Sequence, residues 1–128
     1  MTTTTNANTE ARTAMIKTLE ALASSTYEDG TYNVKTLETV DFKKGFQVTF
    51  CQIGDDYTDD EFMFLIDMFR ELSMDGKTYA GKFESYPEIS FRFASKKLAK
   101  RYAKMFNQIS IWDWKHCKEI KTGGTGTR

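Results

Sequence analysis

The chain has 128 residues, 40% of them hydrophobic and 28% charged, with a single proline, which excludes a fibrous or disordered chain and suffices for one domain around one core. No apolar run approaches the roughly 20 residues that span a bilayer, and no basic stretch followed by an apolar one opens the sequence, so a cytoplasmic protein without membrane contact is expected. The net charge is zero, but the total conceals a reversal: residues through Gly76 include 6 Lys/Arg and 14 Asp/Glu, a net of −8, and those from Lys77 onward include 12 and 4, a net of +8. A chain so polarised offers a basic region to anions and an acidic region to cations, or to a copy of itself.

In chain order, residues 1–8 are Thr/Asn-rich and too polar to repay ordering, so a disordered tail is expected there. Asn8 or Thr9 can cap a first helix to about Ser24, because Ala11, Met15, Leu19 and Leu22 recur at helical spacing. The segment from Thr31 to Ile53 predicts a hairpin, with Phe46, Val48 and Phe50 alternating against Gln47, Thr49 and Cys51 after a Lys44-Gly45 turn. A second helix is predicted from Thr58 to Leu72. Residues Thr78 to Ala94 repeat the hairpin pattern around a Ser85-Tyr86-Pro87 turn. Ser95 then caps a third helix to about Ile109, with Leu98, Tyr102, Met105, Phe106 and Ile109 on one face. The alternation in Ser110 to Ile120 fits a short edge strand or a pinned extension, and residues 121–128, KTGGTGTR, read as a second disordered tail.

These elements predict one α+β domain over residues 9–120. Its architecture is a two-layer sandwich, a four-stranded antiparallel sheet with three helices on its apolar side in the order α-ββ-α-ββ-α. Each hairpin opens on a Thr-Tyr pair, Thr31-Tyr32 and Thr78-Tyr79, which suggests an internal ββα duplication.

Several features invite a chemical reading. Asp55, Asp56, Asp59, Asp60 and Glu61 form an acidic run with oxygen ligands for calcium, but Thr58 to Glu61 is also a capping box, and no central glycine completes a calcium loop. His116 beside Cys117 has neither an orienting third group nor metal-site spacing, and two cysteines are too few for a disulfide scaffold. The glycines at 123, 124 and 126 follow no strand and open no helix, unlike a phosphate cradle. No catalytic residue, metal site, cofactor or small-molecule substrate is therefore expected.

Two surfaces remain. Lys97, Lys100, Arg101 and Lys104 fall at spacings of three and four on the third helix, Lys96 extends them, and Arg92, Trp112, Trp114, Lys115, His116 and Lys118 add cations and flat rings. Together they suit the phosphates and bases of a nucleic acid, backbone contact being favoured because the candidate outward strand residues do not stack. The leading expectation is thus a small non-enzymatic module that binds nucleic acid. The alternative is a protein-interaction module, a regulator or inhibitor that can self-associate. It would use Asp55, Asp56 and the over-apolar second helix, whose Phe64 and Met68 form a second apolar stripe. Coverage of that stripe by the first helix is the simpler expectation. Ala99 and Ala103 would permit close helix approach in a two-fold dimer.

Overall fold

Strands with one apolar and one polar face bury the apolar one under helices, and the chain does so with three helices in the computed structural model, which describes residues 2–52 and 56–126. In chain order these are α1 (Thr2–Leu22), β1 (Gly30–Asn33), β2 (Phe46–Gln52), α2 (Asp59–Leu72), β3 (Tyr79–Phe83), β4 (Tyr86–Phe93), α3 (Lys96–Met105), β5 (Ser110–Asp113) and β6 (Lys118–Lys121). The α+β class and three helices are as expected. The sheet, however, has six antiparallel strands rather than four, in the order β1-β3-β4-β2-β5-β6. The two additional strands are β5 and β6, a hairpin formed from the segment read as one edge strand or an extension.

The largest correction concerns the first hairpin. β1 pairs with β3, and β2 with β4 and β5, so β1 and β2 are not neighbours. The β3–β4 hairpin lies between them. The free side of β1 is taken by its own following segment: Asn33 N–H donates to the Glu38 carbonyl and Val40 N–H to the Thr31 carbonyl, each at 2.8 Å. Asn33 Oδ1 accepts from the N–H groups of Lys35 and Thr36, closing that turn locally. The two expected ββα units therefore differ in pairing, which removes the structural basis for a duplication. Ile53, the expected end of that hairpin, lies outside the described residues.

The second hairpin forms, but around Glu84-Ser85, not Ser85-Tyr86-Pro87. Both turn residues have positive φ, 50° and 70°, as a two-residue turn matched to strand twist requires. Phe83 thus faces Tyr86, and Pro87 sits within β4 opposite Lys82.

The core lies between sheet and helices. Phe50 is its centre, with the rings of Tyr57, Phe62, Phe69, Phe91 and Phe106 at centroid distances of 5.2 to 6.1 Å. A bulge between Thr49 and Cys51 lets Phe50 and Cys51 both be buried, and neither Cys51 nor the exposed Cys117 is bridged. Ala99 and Ala103 are fully buried in this core, so they bring α3 close to its own sheet and leave nothing for the two-fold helix contact expected of them.

Neither expected tail is a tail where it is described. α1 begins at Thr2, and Asn8 and Thr9, read as caps, lie inside it with their side chains donating to Asp60 and Asp59, each at 2.7 Å. Arg12 adds a 3.4 Å contact to Asp59 and lies over the Phe62 ring, joining α1 to the start of α2. At the other end Thr122 is buried, and its N–H donates to the Ile109 carbonyl at 3.0 Å. Asn107 exchanges side-chain hydrogen bonds with Thr125, and its carbonyl accepts from Gly126 N–H. Residues 127 and 128 lie outside the described part.

Gly124 shows why glycine is needed in this strap. A Cβ there would lie 2.2 Å from the Gln108 carbonyl oxygen and 2.8 Å from two backbone carbons, none of which can yield without shifting the strap. Gly124→Ala is expected to destabilise the fold by about 1–3 kcal/mol, as overpacking does. Urea unfolding followed by circular dichroism measures this, and an unchanged midpoint would mean that the strap does not hold the end of α3.

Candidate functional site

The sheet separates the residues that the sequence grouped. Ile111 belongs to the core under the helices, so alternation sends Trp112 to the opposite, open face, where it stands beside its pairing partner Gln47. Trp114 follows it, donating from Nε1 to Gln47 Oε1 at 2.8 Å and meeting Trp112 edge to face at 6.3 Å. Arg92 pairs with Gln47 on β2 and is also on this face. Its guanidinium lies 3.2 Å from Asp75 and 3.6 Å from the centre of the Phe42 ring, and its side chain is only 13% exposed. Arg92, Trp112 and Trp114 therefore do not join the lysines of α3, and for Arg92 the reading as a phosphate contact is replaced by a packed ion pair.

On the helix side the basic residues do assemble. Ser95 Oγ caps α3 by accepting from Leu98 N–H at 3.1 Å, Leu98 and Tyr102 pack inward beside the two buried alanines, and the remaining positions are cationic except Met105, which was expected on the apolar face and is 62% exposed. Lys96, Lys97, Arg101 and Lys104 are exposed and Lys100 is half-buried. Among the described residues none of these five is in an ion pair. Lys118 is exposed on β6 and shares its face with Ile120, which packs against the core, so it belongs to the same side. Lys115 is exposed in the β5–β6 turn.

That turn is organised by Asp113, a buried carboxylate. It accepts from the backbone N–H groups of Lys115 and His116 at 3.1 and 3.2 Å, and its Oδ2 lies 2.8 Å from His116 Nδ1. Cys117 Sγ points instead to the Trp114 carbonyl, 3.6 Å away. No three His, Cys, Asp or Glu side chains converge as metal ligands among the described residues, and no helix there is long and apolar enough to cross a membrane.

The second interaction surface is only partly as expected. Asp59 and Asp60 are engaged by α1, and Asp56 is exposed. Asp55 lies outside the described residues. Phe62, Ile66 and Phe69 face the core and Met68 packs half-buried against it, but Phe64 is 69% exposed, so α1 does not cover the second stripe as expected.

The open sheet face carries a site that sequence reasoning did not assemble, a trough of about 720 Å³. Gly81, Thr49 and Ser90 keep its floor low, and Gln47 spans it by donating to Ser90 Oγ at 2.5 Å while accepting from Trp114. Trp112 and Trp114 form one wall, and Phe83 and Tyr86 stand at the other end, 48% and 64% exposed. The signal was present in the alternation Ile111, Trp112, Asp113, Trp114, which sets both tryptophans opposite the core. Beside the trough, Tyr79 donates its hydroxyl to Asp75, and burial together with this bond pushes its pKa upward.

Compared with protein-family models, curated proteins and solved structures, the chain matches none. The site is therefore read from its own geometry.

The Asp113 turn yields a prediction in acid. Burial pushes its carboxyl up, but the His116 ring, the two N–H donors and the His116 charge outweigh it and hold the pKa below the ordinary 3.8. A lowered folded pKa contributes stability that is present above the unfolded value and lost as pH falls through the folded one. Asp113→Asn is expected to melt below the wild type at neutral pH, the gap closing as pH drops below 3.8. A gap constant with pH in thermal melts would contradict this.

Proposed function

We propose that this protein is a small, non-enzymatic binding module that contacts the phosphate backbone of a nucleic acid through α3. The observation that carries the reading is a set of five cations on a ten-residue helix that form no ion pair among the described residues: Lys96, Lys97, Lys100, Arg101 and Lys104. Lys96 and Lys97 stand in the first turn, where the helix dipole favours anions. Cations there are unfavourable for the helix by itself and become favourable once an anion docks beside them. Lys118 extends the surface, and Lys115 lies in the adjoining turn. The tryptophans and Arg92 have no part in this contact, so the reading is of backbone binding without base stacking.

Fluorescence anisotropy with labelled duplex and single-stranded oligonucleotides tests this directly. Five phosphate contacts predict a slope of log affinity against log salt of about −4.5 on duplex DNA. Reversing two charges in Lys100→Glu/Arg101→Glu should abolish binding, while unchanged affinity would refute the reading.

A second reading rests on Phe64. An exposed phenylalanine on α2, bordered by Met68 and by the acidic Asp67 and Glu71, favours a protein partner or a second copy. Phe64→Ser should leave the melting temperature near that of the wild type and abolish any concentration-dependent self-association in analytical ultracentrifugation. A wild type that is monomeric at all concentrations removes self-association from this reading.

A further inference from the structure

We propose that the trough on the open sheet face binds a linear organic polycation of the polyamine class. Its volume of about 720 Å³ falls in the range of small-ligand sites. Its two aromatic ends belong to β5 and to the β3–β4 hairpin: Trp112 stands level with Arg92 of β4, and Tyr86 lies six residues further along that strand, about 20 Å away, with two strand spacings between β5 and β4 across the sheet. The cleft therefore runs obliquely over the strands and suits an extended ligand.

Charge selects the class of that ligand. Asp29, Glu84, Glu88 and Glu119 contribute to the lining. Among the described residues the only basic one in the lining is Lys82, and its ammonium lies on the helix side, 2.9 Å from each of the carbonyls of Ser24 and Tyr27. Asp29 accepts from the Glu84 and Ser85 N–H groups, and Glu88 accepts from the Thr49 hydroxyl, contacts that position these carboxylates in the lining. Glu119 has one cationic neighbour, Lys121, at 3.8 Å in an exposed pair that is weak in water. Carboxylates set between aromatic rings recognise ammonium groups, by ion pairing and by attraction to the ring faces. The methylene stems between those groups lie against the rings.

The floor argues against the other occupants. Gln47 and Ser90 are already bonded to each other and to Trp114 and the Tyr79 carbonyl. A peptide laid along the trough would find few partners for its backbone amides and would leave them desolvated. A neutral sugar could stack on the rings but would leave the carboxylates unneutralised. A polyamine presents cations and methylenes alone, and so meets neither difficulty.

Trp112 and Trp114 are the only tryptophans in the chain, so intrinsic fluorescence reports on this trough and nowhere else. Titrating nucleic-acid-free protein with spermidine is expected to change tryptophan emission saturably, whereas magnesium chloride at equal ionic strength is not. Glu84→Gln and Glu88→Gln, each checked for an unchanged melting temperature, should each raise the half-saturating spermidine concentration about tenfold, equivalent to roughly 1.4 kcal/mol. Because Glu84 lies in an exposed turn, its variant keeps the test informative if the Glu88 variant is unstable. Lys100→Glu/Arg101→Glu should bind spermidine as the wild type does, separating this site from the α3 surface. Absence of a saturable change, an equal response to magnesium, wild-type affinity in both glutamine variants, or tighter binding of tetralysine or a neutral oligosaccharide would each overturn the proposal.

Discussion

The arrangement depends on how much aromatic volume one strand can bring to one point. Phe50 sits at a bulge in β2, so β2 delivers Phe50 and Cys51 in succession to the buried side. Phe69 of α2 packs against that ring and also against Phe91, Phe93, Tyr102 and Phe106, linking two helices to two central strands. Edge-to-face and tilted contacts of this kind favour particular ring orientations beyond the area they bury. Because β2 must lie under α2 and α3 to make these contacts, it takes a central place in the sheet, and β1 is left to pair on the far side of the β3–β4 hairpin.

That same sheet partitions the charge. Basic residues concentrated late in the chain divide between α3, on the helix side, and positions held internally, such as Arg92 against Asp75 and Lys82 against the carbonyls beyond α1. The carboxylates of the open face gather around a trough with aromatic ends. The basic α3 surface and the acidic trough thereby lie on opposite sides of a buried layer, although the acids of α2 share the helix side with α3. Each surface can select its own ligand with little interference, since charges more than about 8–10 Å apart across water are largely screened at ordinary salt.

Much of the architecture was legible because it is periodic. The Thr58 capping box, the inward stripe of Phe62, Ile66 and Phe69, and the alternation of Ile89, Phe91 and Phe93 all appear as read. What was not legible was pairing. Lys44-Gly45 makes no hairpin turn, the chain only bending at Lys43 and Lys44, and alternation says which face a residue takes and not which strand lies beside it, so β1 was assigned the wrong neighbour. Composition misled at both ends: the Thr-rich start is helical because α2 supplies partners for Asn8, Thr9 and Arg12, and the Gly/Thr-rich end is held by backbone bonds that polarity does not reveal. For the candidate surfaces, helical spacing found the α3 cations correctly, whereas linear proximity wrongly placed the tryptophans beside them, since two residues adjacent in a strand belong to different faces.

The strap over the end of α3 has a mechanical consequence. Ser95 secures one end of the helix, the contacts of residues 122–126 with Asn107 to Ile109 secure the other, and the buried alanines clamp its middle to the sheet. A row of lysines on a fraying helix would have to be immobilised by whatever it meets, at a loss of chain entropy. Here the backbone is already held, so only side-chain freedom remains to be lost on contact. The glycines and threonines of residues 122–126, uncharged themselves, thus act as a fastener that keeps the basic helix straight.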